Sequence, residues 1–140
     1  MQALNLPATL DSLEPVGQYV LDAAAEAGLE RKAAYRLRLA VDEIVTNIIV
    51  HGHTEAGLEG EVTIKADLNA EALTIILEDA AQPFDPRARP DPENLDRPLE
   101  ERDIGGLGVF LAIKGVDTFT YEYADNRNRN IFVMNRPPQA

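Results

Sequence analysis

Two short apolar runs, EVTIKADL from Glu61 to Leu68 and LTIILED from Leu73 to Asp79, constrain the fold of this chain more than any other stretch. In the first, Val62, Ile64, Ala66 and Leu68 alternate with polar residues, the period of two expected of a strand with one face buried. The second is richer in apolar residues and is expected nearer the middle of a sheet. Asn69 to Ala72 is too short for anything but a tight connection, so the pair predicts a hairpin. A sheet that is apolar on one face needs a second layer to cover it.

The covering layer is read from the first fifty residues. After a short edge strand over residues 2–8, marked by Leu4 and Leu6 and ended by Pro7, a helix is expected to start near Thr9 or Asp11, either of which can cap it. Leu10, Leu13, Val16, Val20 and Ala24 form its apolar stripe. Pro15 falls in the first turn, where its missing N–H is tolerated, and Gly28 stops the helix. A second helix runs from about Glu30 to about Val50. Its Leu37, Val41, Ile44 and Ile48 recur at four, three and four residues, which lays them on one face as core.

From Ala80 the pattern breaks down. AAQPFDPRARPDPENLDRPLEERD holds five of the nine prolines and almost no periodicity, and it reads as a long irregular loop of the kind that serves as a functional lid or stays disordered. It closes on Ile104-Gly105-Gly106-Leu107-Gly108, followed by the apolar helical run VFLAIKGVD. Two more strands, TFTYEYA and NIFVMNR, are joined by the turn-forming DNRNRN. The order of elements predicts an α/β fold: a two-layer sandwich with helices packed on one face of a mixed, mainly antiparallel sheet, in one domain over residues 1–140.

Charge and composition narrow the function. The net charge is −11, from 24 acids against 13 bases, which argues against general binding to a phosphate backbone. It allows a basic protein partner and equally an acidic surface that keeps the protein in solution. Cysteine is absent, so disulfides and cysteine zinc sites are excluded. MQALNLPATLDSLEP does not read as a secretory signal, and no apolar run is long enough for a membrane span.

Three groups of polar or glycine residues carry possible chemistry. Glu43 and Asn47 stand four apart on the second helix, flanked by aliphatic residues. Burying them without partners would cost about 1–3 kcal/mol, so either they lie on a solvated face or a metal ion or ligand holds them. Asp79 ends an apolar strand, where it can cap a turn or accept hydrogen bonds from a ligand's amino group. Gly105, Gly106 and Gly108 precede a helix. Such a junction is ordinary turn chemistry, and it also suits an anion at the helix N-terminus. His51 and His53 lack a third ligand and are expected at the helix end or the surface.

The ordered set of ExxxN, a strand-end Asp followed by PFDP, and a proline-rich stretch running into GGLG resembles the anti-sigma factor serine/threonine kinases of the GHKL ATPase superfamily, over essentially all of the chain. LAVDEIVTNIIVHG is similar to that family's N box, EDAAQPFDP to its first glycine box and IGGLGVFLAIKGVD to its second. The resemblance implies the Bergerat fold, ATP and Mg²⁺ as ligands, and a site in which Asn47 coordinates Mg²⁺ and Glu43 is the catalytic base. Asp79 would then bind the adenine amino group beside Ala81. Gly105, Gly106, Leu107 and Gly108 would hold the phosphates, and residues from about Arg87 to Asp103 would form the lid.

It also implies a cytoplasmic, partner-switching regulator that forms a homodimer, phosphorylates a STAS-type anti-anti-sigma protein and holds a sigma factor or other regulator, with no direct contact to nucleic acid or membrane. The first box departs from the family's DxGxP, because Ala81 stands at the glycine position. If that glycine serves positive φ or a close approach to the base, the extra methyl strains or crowds the site. This departure motivates an alternative expectation, a protein-binding regulatory module of the same fold with little or no kinase activity. A third reading, the catalytic domain of a histidine kinase, would call for an upstream helical hairpin bearing a phospho-acceptor histidine, and no stretch of the sequence reads as one.

Overall fold

The structure, a computed structural model, describes residues 1–50, 60–81, 83–86, 109 and 112–137. Seven elements frame it: β1 (Leu4–Pro7), α1 (Leu13–Ala27), α2 (Arg31–Asn47), β2 (Glu61–Leu68), β3 (Ala72–Asp79), β4 (Thr118–Ala124) and β5 (Arg127–Asn135). Val109 and residues 112–114 are also helical. The expected hairpin is β2–β3, in register from Val62 opposite Asp79 to Leu68 opposite Leu73. Asn69 closes it, its Oδ1 accepting from the amides of Glu71 at 2.8 Å and Ala72 at 2.9 Å, a side-chain substitute for a backbone turn.

The strands lie in the order β1-β2-β3-β5-β4, and every pairing among the described residues is antiparallel. The expectation of a mixed sheet therefore narrows to a wholly antiparallel one, with β3 central as its composition implies. Val62, Ile64 and Ala66 of β2, Leu73, Ile75 and Leu77 of β3, and Phe132 and Met134 of β5 are buried on one face. Against them sit Val16 and Val20 of α1 and Leu37, Val41 and Ile44 of α2, with Ile48 just beyond. The two-layer sandwich follows from these two periodicities meeting.

Local chemistry sets the helix ends. Gly28 adopts φ 71°, and its amide and that of Leu29 bond back to the last turn of α1, a left-handed stop that suits a residue without Cβ. Tyr19 fastens α1 to the sheet: its hydroxyl donates to the Gln2 carbonyl at 2.9 Å and accepts from the Ala66 amide at 3.0 Å. Ala66 lies beyond the β1 pairing, which covers only Glu61 to Ile64. Burial pushes the Tyr19 hydroxyl above its ordinary value.

The structure corrects several expectations at the edges of elements. Thr9 makes no side-chain cap, because Leu10–Ser12 form a 3₁₀ turn before α1 begins at Leu13. Leu10 is consequently exposed rather than part of the stripe, and so is Leu68 at the end of its strand. The helix α2 ends at Asn47, and residues 48–50 continue as one wider π turn. The six-residue turn expected between the last strands shrinks to Asp125 and Asn126, both at positive φ, 56° and 62°. This is the geometry of a two-residue hairpin, so Arg127 to Asn130 belong to β5.

Candidate functional site

The site is built where the core face of the sheet turns polar. Along β3 that face reads Leu73, Ile75, Leu77, Asp79, and along β5 it reads Met134, Phe132, Asn130, Asn128. Asp79 and Asn128 are directly opposite each other in the register, as are Leu77 and Asn130. All three polar residues are buried, at 1 %, 3 % and 2 % exposure for Asp79, Asn128 and Asn130. Buried polar groups are expected to be bonded, and Asn128 is bonded at every position its amide offers.

Its Nδ2 donates to Asp79 Oδ1 and to the Ala81 carbonyl, both at 3.1 Å. Its Oδ1 accepts from the Phe84 amide at 3.0 Å and from the Tyr121 hydroxyl. The Phe84 amide also reaches the Tyr121 oxygen, at 3.1 Å. Asp79 Oδ1 accepts a second bond from the Ala81 amide at 3.0 Å. One side chain thus ties the end of β3, the turn that follows it and the neighbouring strand β4. Burial raises the Tyr121 hydroxyl above its ordinary value, opposed by the Phe84 amide and reinforced by Asp85 and Asp79.

Ala81 is buried and carries no left-handed backbone: among the described residues, the non-glycine positive φ values are those of Asp125 and Asn126. The turn therefore does not call for glycine on conformational grounds, and the departure from DxGxP leaves only the methyl group to consider.

A narrow cleft opens beside this network, lined by Ile44, Asn47 and Ile48 from α2 and its π turn, by Phe84 and Pro86, and by Asn130. Asn47 is 6 % exposed. Its Nδ2 and the Oδ1 of Asn130 are buried without a hydrogen-bond partner among the described residues. Each such atom carries a desolvation cost of about 1–3 kcal/mol, a cost that a ligand with complementary groups would offset. Among the described residues no group of three His, Asp or Glu can hold a metal. A cation here would rest on a single amide oxygen with its remaining ligands from water and a bound phosphate, an arrangement Mg²⁺ accepts.

Glu43 lies one turn before Asn47, half-buried, outside the cleft lining and without an ion pair or hydrogen bond among the described residues. Its neighbour Asp42 is engaged instead, 3.5 Å from Arg38, which also faces Glu14 at 3.8 Å. Desolvation holds the Asp42 carboxyl above its ordinary value despite the pull of Arg38. Asn47 thus lines the cleft, Asp79 and Ala81 belong to the hydrogen-bonded network beside it without lining it, and Glu43 stands a turn away. Gly105, Gly106, Leu107 and Gly108, the histidines at 51 and 53 and the lid from 87 to 103 lie outside the described residues. Asn128 and Asn130 were missed because asparagine reads as turn chemistry. The signal was present as a two-residue period, Asn128, Asn130, Phe132, Met134, running unbroken from polar into apolar residues.

Comparison with known proteins adds a lineage to this geometry. A family model described as "Histidine kinase-like ATPase domain" matches residues 6–135. The serine-protein kinase RsbW of Listeria innocua is 31 % identical over 91 residues, which span 63 % of this chain and 57 % of that protein. RsbW of Staphylococcus aureus is 23 % identical over 120 residues, 84 % of this chain and 76 % of that one. Among solved structures, the histidine kinase domain of the blue-light activated kinase of Erythrobacter litoralis EL346 superposes with a TM-score of 0.54 at 17 % identity, over 89 % of this chain and 59 % of that one, a likeness of fold alone. No helix among the described residues is long and apolar enough to cross a membrane.

Proposed function

The chain belongs to the histidine kinase-like ATPase domain family, and from that premise we propose that it is a cytoplasmic regulatory serine/threonine kinase that binds ATP with Mg²⁺, phosphorylates a STAS-type anti-anti-sigma protein and sequesters a sigma factor or other regulator as a homodimer. The observation that supports the reading is the buried side-chain nitrogen of Asn47, unpartnered among the described residues, in a cleft it shares with Asn130, one core-facing position along β5 from the Asn128 that bonds Asp79. An ATPase-family fold with a mainly apolar cleft between α2 and β5, carrying the polar side chains of Asn47 and Asn130, is suited to a nucleotide. The kinase names carried by the Listeria and Staphylococcus relatives support the same direction.

Bound Mg-ATP would supply the phosphoryl group and the charge neutralisation that phosphoryl transfer mainly requires. The roles of the chain's own residues are those that the family resemblance implies. Asn47 would hold the metal through its amide oxygen. Asp79, fixed by Asn128 and the Ala81 amide, would accept from the base's amino group. Glu43, unengaged by other side chains among the described residues, would take the proton from the attacking hydroxyl. The segment Gly105 to Gly108 would meet the phosphates through backbone amides.

The test is to incubate the purified chain and Mg-ATP with a STAS-type protein from the same organism. Phosphate should appear on the partner, and Glu43→Gln should slow transfer while leaving ATP affinity unchanged. Intact nucleotide binding with no transfer to any STAS-type partner would remove the kinase claim.

A further inference from the structure

We infer that the exposed face of the first half of α2 is the docking surface for the phospho-accepting protein, which meets it with an acidic patch around apolar side chains. The inference rests on the kinase reading above and deepens it by naming where the partner sits. Charge points there first. Residues 31–41 hold Arg31, Lys32, Arg36 and Arg38 and no acid, in a chain whose net charge is −11. Arg38 is engaged within the fold, facing Glu14 and Asp42. Arg31, Lys32 and Arg36 are exposed and form no ion pair among the described residues, and the Arg31 guanidinium lies over the ring of Tyr35, 5.6 Å from its centre.

The cations at the start of α2 stand where a helix suits them least. The N-terminal end of a helix carries partial positive charge, yet the first turn of α2 has no acid and its N-cap, Glu30, makes no side-chain cap. A local conflict of this kind is expected where a surface serves function. Among these cations, Tyr35 and Leu39 are 50 % and 53 % exposed, one turn apart. Tyrosine and arginine around an apolar centre are typical of protein interfaces. An extended polyanion such as nucleic acid would meet the acidic remainder of the surface, whereas a folded protein brings its acids to one patch.

This face leads to the reacting site. Lys32, Arg36, Leu39 and Glu43 follow one another at four, three and four residues, the spacing that keeps side chains on one side of a helix, opposite the buried Leu37, Val41 and Ile44. From Leu39 to Glu43 is one turn, about 6 Å along the axis. A partner held at Tyr35 and Leu39 therefore has its neighbouring residues at the carboxylate proposed to take the hydroxyl proton.

The experiment is steady-state transfer from Mg-ATP to a STAS-type protein from the same organism, by the purified full chain, by Arg31→Glu/Lys32→Glu and by Leu39→Ser. Thermal unfolding monitors folding, and the charge reversal should not lower the midpoint, because acids suit the start of a helix. It should raise the KM for the partner about tenfold while leaving kcat and the KM for ATP unchanged, the signature of lost partner binding. Salt should raise the partner KM of wild type and of Leu39→Ser, whose own partner KM is also raised, but not that of the charge variant. A partner KM unchanged in either variant, or a KM for ATP that shifts as much, would overturn the docking face and leave the kinase reading intact. An unchanged partner KM in variants that no longer dimerise in light scattering would assign the face to a second copy of the chain, against the inference. Wild type that transfers to no STAS-type protein would overturn both readings.

Discussion

Replacing Asn128 by alanine removes the side chain on which the strand end depends, and the cost can be worked from its four bonds. The bond to the Asp79 carboxylate falls in the class worth about 1.5–3 kcal/mol, and the bond to the buried Ala81 carbonyl in the class worth about 0.5–1.5. The Phe84 amide is exposed and the Tyr121 hydroxyl half-buried, so water can replace Asn128 for both. The expected loss is about 2–4 kcal/mol. At about 2.1 cal/mol/K per residue, the 140 residues give an unfolding entropy of about 0.3 kcal/mol/K, so the midpoint should fall by roughly 7–14 °C. Urea unfolding followed by circular dichroism measures the difference directly, with an unchanged slope. Asn128→Asp separates hydrogen bonding from packing. It sets an acceptor against Asp79 Oδ1, which raises the pKa of the introduced carboxyl in the folded state. Its protonated form restores a donor, so the penalty should be small below the usual aspartate range and grow as pH rises through the raised value. A loss under about 0.5 kcal/mol for Asn128→Ala, or an Asn128→Asp penalty independent of pH, would refute this account of the network.

Ala81→Gly should lower stability by about 0.4–1 kcal/mol, because the backbone there needs no positive φ and glycine only loosens the unfolded chain. ATP affinity should not change, and calorimetry showing tighter binding would mean that the methyl crowds the base. Asp42 predicts a pH dependence of known sign. Its folded pKa lies above the ordinary 3.8, so it contributes stability that is present below that value and lost as pH rises through the folded one. Asp42→Asn should therefore stabilise near neutral pH, with the advantage vanishing in acid, as read from urea midpoints across pH.

Much of the fold was legible because its two periods are clean. The alternation in β2 and β3 and the three-four spacing of Leu37, Val41, Ile44 and Ile48 each have one structural solution, and the two apolar faces fit together. Misreadings gathered where a periodic pattern outran the layer it packs on, as at Leu10 and Leu68, whose positions in the sequence repeat say nothing of whether a neighbour covers them. The polar half of β5 failed for a different reason. Asn128 and Asn130 have low strand propensity, and only the presence of Asp79 opposite, of Tyr121 alongside and of a cleft below makes a strand of asparagines favourable there. Local propensity and tertiary context conflict most at sites of function, and here the conflict marked the two residues that motif reading passed over. Asp79, Glu43 and Asn47 could be named from a motif. The burial of Asp79 and Asn47, and the engagement of Asp42 rather than Glu43 by Arg38, follow only from the packed fold.

The central claim is that the amide of Asn47 belongs to a metal-nucleotide site and is not ordinary structure. Calorimetric titration of ATP into wild type and Asn47→Ala, with and without Mg²⁺, tests it most directly. Wild type should bind more tightly with Mg²⁺, and Asn47→Ala should lose roughly 10–100-fold of that affinity, the scale of one interaction with a charged group, while remaining folded. Mg-ATP binding by Asn47→Ala equal to that of wild type would contradict the claim.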